Sequence, residues 1–448
     1  MESQNVKNVS RRNFLANSAI GMVAGAMVPA MVTGCSSSTE PQWKPIDFPE
    51  WPDKAPDGKP LKAALIGCGG RGSGAIVNFL DAGNGLSVVA LADVFPDRLN
   101  SCRSMLKGKG HEIPDDKCFL GFDAYKQAIA TDADVVLLCT PPVFRAEHFT
   151  AAVDAGKHIF MEKPCAVDPT GARAILVAAK RAEQKGLCVI SGTIRRSQKD
   201  CIETWRRVQG GAIGDFVSAH VIRNGGALWH KKREEGWTDM EYMLRNWVNF
   251  CWLSGDHIVE QFIHEIDQMT WFVGQHPVRA NAYGGRHRRV NGDQFDFFCV
   301  EYEYADKKRS NCSARQINGC SNEHAILVYG TKGYTNCFNK IWDLSGNIVW
   351  EYPYPKEGDT DKSWVVKDPF EMEHVRLVTA IRTNQPVNDA EAHVQSTLMT
   401  IMARQSAYTG KDVTWDEITA SALKLGPETY AFGPVPGIPE IPPVPGTL

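Results

Sequence analysis

The chain has 448 residues, with 49 Lys and Arg against 52 Asp and Glu for a net charge of −3. That length can bury a sizeable core in two domains, and mixed charge without a basic block speaks against a nucleic-acid partner. The 13 cysteines include no Cys-x-x-Cys pair, which argues against a structural zinc or thioredoxin-type site, and no metal is expected.

Residues 1–35 read as an export signal. Ser10-Arg11-Arg12-Asn13-Phe14-Leu15 resembles a twin-arginine motif, and the apolar run from Ala19 to Val32 is short for a bilayer span. Val32-Thr33-Gly34-Cys35 follows as a lipobox, with Cys35 as the acylated mature N-terminus and the only membrane attachment. This predicts a periplasmic or cell-surface lipoprotein exported after folding. Residues 36–60, Ser-rich and then Pro- and Asp-rich, read as a flexible tether with little to bury.

From 61 to 192 short apolar runs alternate with helical stretches, the pattern of a doubly wound parallel sheet. The first run, Lys62 to Ile66, enters Gly67-x-Gly69-Gly70-Arg71-Gly72 and then a helix from Ser73. Such a loop turns tightly, lets backbone approach a pyrophosphate, and sets a helix N-terminus against the phosphates. Asp93 closes the second strand, about 20 residues past the loop, where an acidic side chain accepts from both ribose hydroxyls and favours NAD over NADP. Further strands end at Thr140-Pro141-Pro142, at Glu162-Lys163-Pro164 and near Ile190, with a helix from His148 to Ala155.

From 193 to 432 the texture changes to period-two alternation, as in Phe216–Ile222, Phe295–Tyr304 and Arg309–Ile317. This predicts an α+β domain on a large, mostly antiparallel open sheet, completed by helices near 371–383 and 389–408. The proline-rich tail, 433–448, is expected to be extended, either wrapping a neighbouring subunit or mobile.

The order Gly-x-Gly-x-x-Gly, Asp93, Thr140-Pro141 with His148, Gly156-Lys157-His158 and Glu162-Lys163-Pro164 resembles the Gfo/Idh/MocA oxidoreductases. Ser254-Gly255-Asp256 and Glu260-x-x-x-His264-x-x-Asp267 fit the same pattern. The resemblance implies a nicotinamide-binding N-terminal domain, a C-terminal sheet forming the substrate site, carbohydrate or cyclitol substrates, and a homo-oligomer, dimer or tetramer. The nucleotide contacts expected are Gly67, Gly69, Gly70, Arg71, Gly72, Asp93, Thr140, Pro141, His148, Glu162 and Lys163.

Hydride transfer from an alcohol needs a group to take the hydroxyl proton and one to stabilise the alkoxide. Lys163, at the carboxyl end of a parallel strand, is placed for the second task. Glu260 and His264, four apart, share a face on a helix, so the carboxylate orients the imidazole as a base. Asp267 falls on the same face as a substrate contact. The resemblance more often has Asp where Glu260 stands. His257, Glu260 and His264 are also spaced for a metal, a rival reading that hydride transfer does not need. Among the aromatics between 229 and 252, Trp229 and His230 are the expected sugar contacts, with Arg195 facing the crevice from the other side.

The leading function is therefore NAD-dependent oxidation or reduction of a carbohydrate or cyclitol. Free NAD is scarce outside the cytoplasm, so the cofactor is expected to stay bound and be recycled. A redox-neutral glycoside hydrolase working by transient oxidation and elimination is the alternative, and a lipid-anchored sugar-binding protein the third.

Overall fold

The computed structural model describes residues 44–439 and 441–447. The twin-arginine motif, the lipobox with Cys35 and the tether up to residue 43 lie outside the described residues. Among the described residues no helix is long and apolar enough to cross a membrane.

The apolar runs of the first half become β1 (Leu61–Ile66), β2 (Leu86–Asp93), β3 (Cys118–Leu120), β4 (Val135–Leu138), β5 (His158–Met161) and β6 (Val189–Ser191). They form one sheet in the order β3-β2-β1-β4-β5-β6, and every pairing is parallel. Both faces are covered, so the strands have no polar side to show. β4, Val-Val-Leu-Leu, is buried at all four positions. Five helices connect the strands: α1 (Gly70–Asp81), α2 (Pro96–Gly108), α3 (Ala124–Ile129), α4 (Arg145–Asp154) and α5 (Pro169–Gln184). α5 starts where it does because Asp168 accepts from Gly171 N at 2.7 Å and Pro169 occupies the first turn, where its missing N–H costs nothing. The order reverses between β1 and β4, and a crevice opens there at the carboxyl ends of the strands.

The second sheet has nine strands, β7 (Phe216–Gly225), β8 (Arg279–Gly285), β9 (Phe297–Glu303), β10 (Arg309–Gln316), β11 (Glu323–Gly330), β12 (Gly333–Thr335), β13 (Lys340–Asp343), β14 (Ile348–Glu351) and β15 (Val413–Thr414). Its order is β14-β13-β12-β11-β7-β10-β9-β8-β15, antiparallel except between β7 and β10. Period-two sequences bury one face under the helices Ile263–Val273 and Ala390–Thr409, with Val221, Val300, Tyr302, Met399 and Met402 in that core. The other face leaves Tyr283 exposed.

Two expectations at the ends of the chain are corrected. Residues 44–60, read as a tether, lie docked on the body. Ile46 exchanges hydrogen bonds with Arg206, Phe48 stacks edge-on against Trp205 at 5.2 Å, and Ala55 is buried. The composition is polar, but its few aromatic and apolar side chains each find a pocket. The described residues of the tail form no helix or strand, and they are docked rather than mobile. Gly433 O accepts from Met240 N, Val435 is buried, and Gly446 N reaches Thr409 O.

Candidate active site

Each glycine of the loop after β1 has its own reason. Gly67 sits at φ +96°, and a Cβ there would lie 2.7 Å from the Cys139 carbonyl carbon. A Cβ on Gly72 would stand 1.8 Å from Gly67 O, so α1 can pack against the strand only without one. At Gly69 and Gly70 a Cβ would meet no protein atom within 4 Å. The Asp93 carboxylate accepts from Cys68 N at 2.7 Å and Phe95 N at 2.9 Å, bracing the loop from the end of β2, and burial pushes its carboxyl up.

Gly67, Gly69, Gly70 and Asp93 line one cavity of about 630 Å³ together with Thr140, Pro141 and His148, whereas Gly72, expected on the nucleotide, faces β1 and not the cavity. His148 stacks on Tyr125 at 4.2 Å with Nδ1 3.3 Å from Thr140 Oγ1. Burial, helped by the Arg145 charge, holds its imidazole down at about 3, so it stays neutral. Arg71 and Glu162, both expected on the nucleotide, are bonded to each other instead, and Glu162 also accepts from Lys163 N at 3.1 Å. Arg71 further approaches Glu373 at 3.5 Å. The arginine does line the cavity, but the Glu162 carboxylate is engaged in holding it and the Lys163 turn.

The second domain roofs this cavity. Trp229, His230 and Lys231 come down from the segment after β7, and Arg245 comes from the helix Asp239–Arg245. Arg245 donates to Asp97 at 3.0 and 3.2 Å and lies over the Phe95 ring at 4.0 Å. The chain end adds an outer layer, in which Tyr430 stacks on Phe122 and Trp252 while Phe432 packs on Phe95 and Phe122. Trp229 and His230, expected at the sugar, thus share a cavity with the glycine loop and Asp93, and Trp229 remains 51 % exposed.

Lys163 lies at the end of β5 with its Nζ 2.6 Å from both Glu260 Oε1 and Glu260 O. The expected Glu260–His264 pair does not form. The helix is interrupted at residues 261 and 262, between His257–Glu260 and Ile263–Val273, so the i, i+4 relation fails. Glu260 turns to Lys163 and Gln261 instead, a reach its extra methylene permits. His264 is half-buried, and its Nδ1 has no partner among the described residues. Burial, then the charges of Lys163, Arg223 and Arg195, hold its imidazole well below the usual range. It is a neutral acceptor.

Asp267 is also corrected. It is buried, paired with Arg196 at 2.9 and 3.0 Å and with Ser396 at 2.6 Å, so it braces the helix and has no free oxygen for a substrate. Arg195 donates to Gln198 at 2.6 Å and lies over Phe338 at 4.7 Å. It is positioned by Ile194, a β-branched residue held at φ +43° with its N–H on Glu373 at 2.7 Å. The metal reading has no support in geometry: His257 packs edge-on against Phe298, and among the described residues no three such ligands gather.

Ser254-Gly255-Asp256 is a buried corner rather than a ligand site. Asp256, at φ +76°, accepts from His257 N, Phe295 N and the Tyr408 hydroxyl, the last at 2.5 Å. Burial raises its carboxyl to about 6 and that of nearby Asp293 to about 7. A folded-state value above the unfolded 3.8 means that the native state holds protons the unfolded chain has released. Stability from these groups is complete below about pH 4 and lost as pH rises towards 7. Asp293→Asn keeps the acceptor for Cys251 N and removes the titration, so its melting temperature should exceed that of the parent at pH 8, by less at pH 5, and match it near pH 4. An equal gap at all three values would refute the linkage.

Residues 61–191 match the model described as "Oxidoreductase family, NAD-binding Rossmann fold", and residues 203–336 match the "GFO/IDH/MocA C-terminal domain". The chain belongs to the Gfo/Idh/MocA oxidoreductase family. An uncharacterized oxidoreductase of Streptococcus pneumoniae is 23 % identical over 276 residues, 61 % of this chain and 67 % of that one. D-glucoside 3-dehydrogenase of Escherichia coli K12 is 27 % identical over 230 residues, 50 % of this chain and 57 % of that one. The chain spans about half the length of the other curated relatives it matches. Among solved structures, scyllo-inositol dehydrogenase of Lactobacillus casei with NAD(H) and scyllo-inositol superposes with a TM-score of 0.59 at 21 % identity, covering 80 % of this chain and 99 % of that one.

The Gfo/Idh/MocA glycine loop fits NAD on the observation that Gly69 leaves open space where a side chain would stand. Two residues at the site escaped sequence reasoning. Arg145 starts α4 three residues before the expected helix start, and Arg245 sits among the aromatics between 229 and 252. A lone arginine carries no local signal, although Arg145 follows the Thr140-Pro141-Pro142 turn closely enough to have drawn attention.

Proposed function

We propose that this protein is an NAD-dependent oxidoreductase that moves a hydride between its cofactor and a hydroxyl-bearing carbon of a carbohydrate or cyclitol, keeping the cofactor bound between turnovers. The observation that carries this reading is the Lys163–Glu260 ion pair at the end of β5, set beside a neutral, unpartnered His264. Bound NAD supplies the hydride acceptor. Lys163 donates to the reacting oxygen and stabilises negative charge on it, with Glu260 holding the ammonium in place. His264 accepts the hydroxyl proton at Nε2, the ring nitrogen that is not closed off from the crevice. The substrates named for relatives, a D-glucoside and an inositol, have the vicinal hydroxyls such a donor–acceptor pair would read.

The roof of Trp229, His230, Lys231 and Arg245, sealed by Tyr430 and Phe432, supports retention of the cofactor. The twin-arginine and lipobox motifs support a folded, exported lipoprotein that brings its nucleotide along. An intact Lys163 favours net redox over glycoside cleavage.

The test is mass spectrometry of natively purified protein for bound nucleotide, then addition of myo-inositol, scyllo-inositol and glucosides without free NAD. Stoichiometric appearance of bound NADH supports the proposal. Aglycone release with no net NADH would replace it with cleavage, and sugar binding with no change in the nucleotide would reduce the protein to a binder.

A further inference from the structure

Arg145 is 3 % exposed at the first position of α4. Its Nη2 donates to Thr140 O at 2.6 Å and its Nη1 to Pro164 O, while its buried Nε finds no acceptor among the described residues. The guanidinium therefore bridges the two loops at the carboxyl ends of β4 and β5, directly behind Lys163. Carbonyl oxygens satisfy its protons but not its charge.

The surrounding groups do not cancel that charge. Glu162 is committed to Arg71, and Glu260 to Lys163. His148 and His393, buried near the same guanidinium, are both held at about 3 and are neutral. The thiols of Cys139 and Cys165 are pushed up to about 12 by burial and are neutral too. Asp267 is spent on Arg196. Glu373, the second carboxylate beside Arg71, is pushed well above the usual range by burial and stays neutral, so pairing these ions with their partners leaves the Arg145 charge unbalanced in a low-dielectric wall of the crevice.

We propose that Arg145 tunes the bound cofactor, favouring the reduced nicotinamide over the oxidised one and so making it a stronger hydride acceptor. The inference rests on the reading that the cavity holds NAD. With the glycine loop at the pyrophosphate and Asp93 at the adenosine ribose, the remaining half of the dinucleotide must run towards β4 and β5. Hydride capture turns a cationic ring into a neutral one: the alcohol carbon gives up two electrons with the hydride, the ring takes them, and the hydroxyl proton leaves to the base. A fixed buried cation opposes the charged ring and is indifferent to the neutral one. Arg145 touches neither substrate nor reacting atom in this account; it is a positioning and electrostatic residue.

The experiment is a mediator-coupled redox titration of the holoprotein, followed by the absorbance of bound NADH, for the parent, Arg145→Gln and Arg145→Lys. It needs no substrate. The bound couple of the parent should lie above free NAD. Arg145→Gln should lower the bound reduced-to-oxidised ratio at fixed potential by about tenfold, which is about 30 mV for two electrons. Arg145→Lys, which keeps the charge, should stay near the parent. A parent couple equal to that of free NAD would overturn the proposal even if Arg145→Gln fails to fold. So would an unshifted Arg145→Gln, or an Arg145→Lys shifted as far as the glutamine variant, because loop bridging alone would then be its role. Absence of any bound nucleotide in the parent would overturn the cofactor reading itself.

Discussion

Lys163→Ala is expected to slow hydride transfer by about 10²- to 10⁴-fold while the nucleotide stays bound, the usual scale for removal of a positioned proton donor. The side chain is 12 % exposed and its partner Glu260 5 %, so the substitution also strands a buried carboxylate. Breaking such a pair from one side costs about 3–5 kcal/mol, whereas removing both charges is often nearly neutral. Stability and chemistry can therefore be separated. A Lys163→Met, Glu260→Gln double variant should recover most of the melting temperature lost in Lys163→Ala and none of the rate. Single-turnover measurement of bound NADH formation reads the rate directly. Recovery of turnover in the double variant, or survival of turnover in Lys163→Ala, would remove the lysine from the chemistry.

The second large effect separates two glycines three residues apart. Gly72→Ala places a methyl group 1.8 Å from Gly67 O and 3.3 Å from Cys139 Cβ, against backbone that cannot yield without parting α1 from β1. The loss should exceed the ~1–3 kcal/mol typical of an overpacked core and pass about 4 kcal/mol, because the clash is with backbone, and little folded protein is expected. Gly69→Ala meets nothing in the protein, so it should fold with a melting temperature near that of the parent. Its methyl group occupies space the fingerprint reserves for the pyrophosphate, and NAD affinity should fall by tenfold or more, about 1.4 kcal/mol. Denaturation curves and nucleotide content measured together decide the matter. If Gly69→Ala held NAD as tightly as the parent, the phosphates would have to be placed elsewhere.

What was legible in the sequence was what local chemistry decides. The glycine spacing, the buried runs from Leu61 to Ile190 and the period-two strands after Phe216 each carry their structure within a few residues, and both sheets follow from them. The site was legible in part. Lys163 was found because strand ends in such sheets face a crevice. Glu260 and His264 were paired wrongly because a four-residue spacing says nothing when two turn residues interrupt the helix. Asp267 was misplaced because its role depends on Arg196 and Ser396, the first 71 and the second 129 residues away. Arg245 acts through Asp97, 148 residues away, and nothing around it announces that, whereas Arg145 bonds the Thr140 turn five residues before it and could have been noticed there.

The outer layer formed by Tyr430 and Phe432 bears on the protein's biogenesis. The floor of the nucleotide cleft is encoded first, its roof later, and the aromatic layer of Tyr430 and Phe432 after both. A nascent chain thus offers an open berth from the time the floor folds until residues 430–432 have emerged. Loading is easiest in that interval, so occupancy should reflect the nucleotide supply where the chain is made.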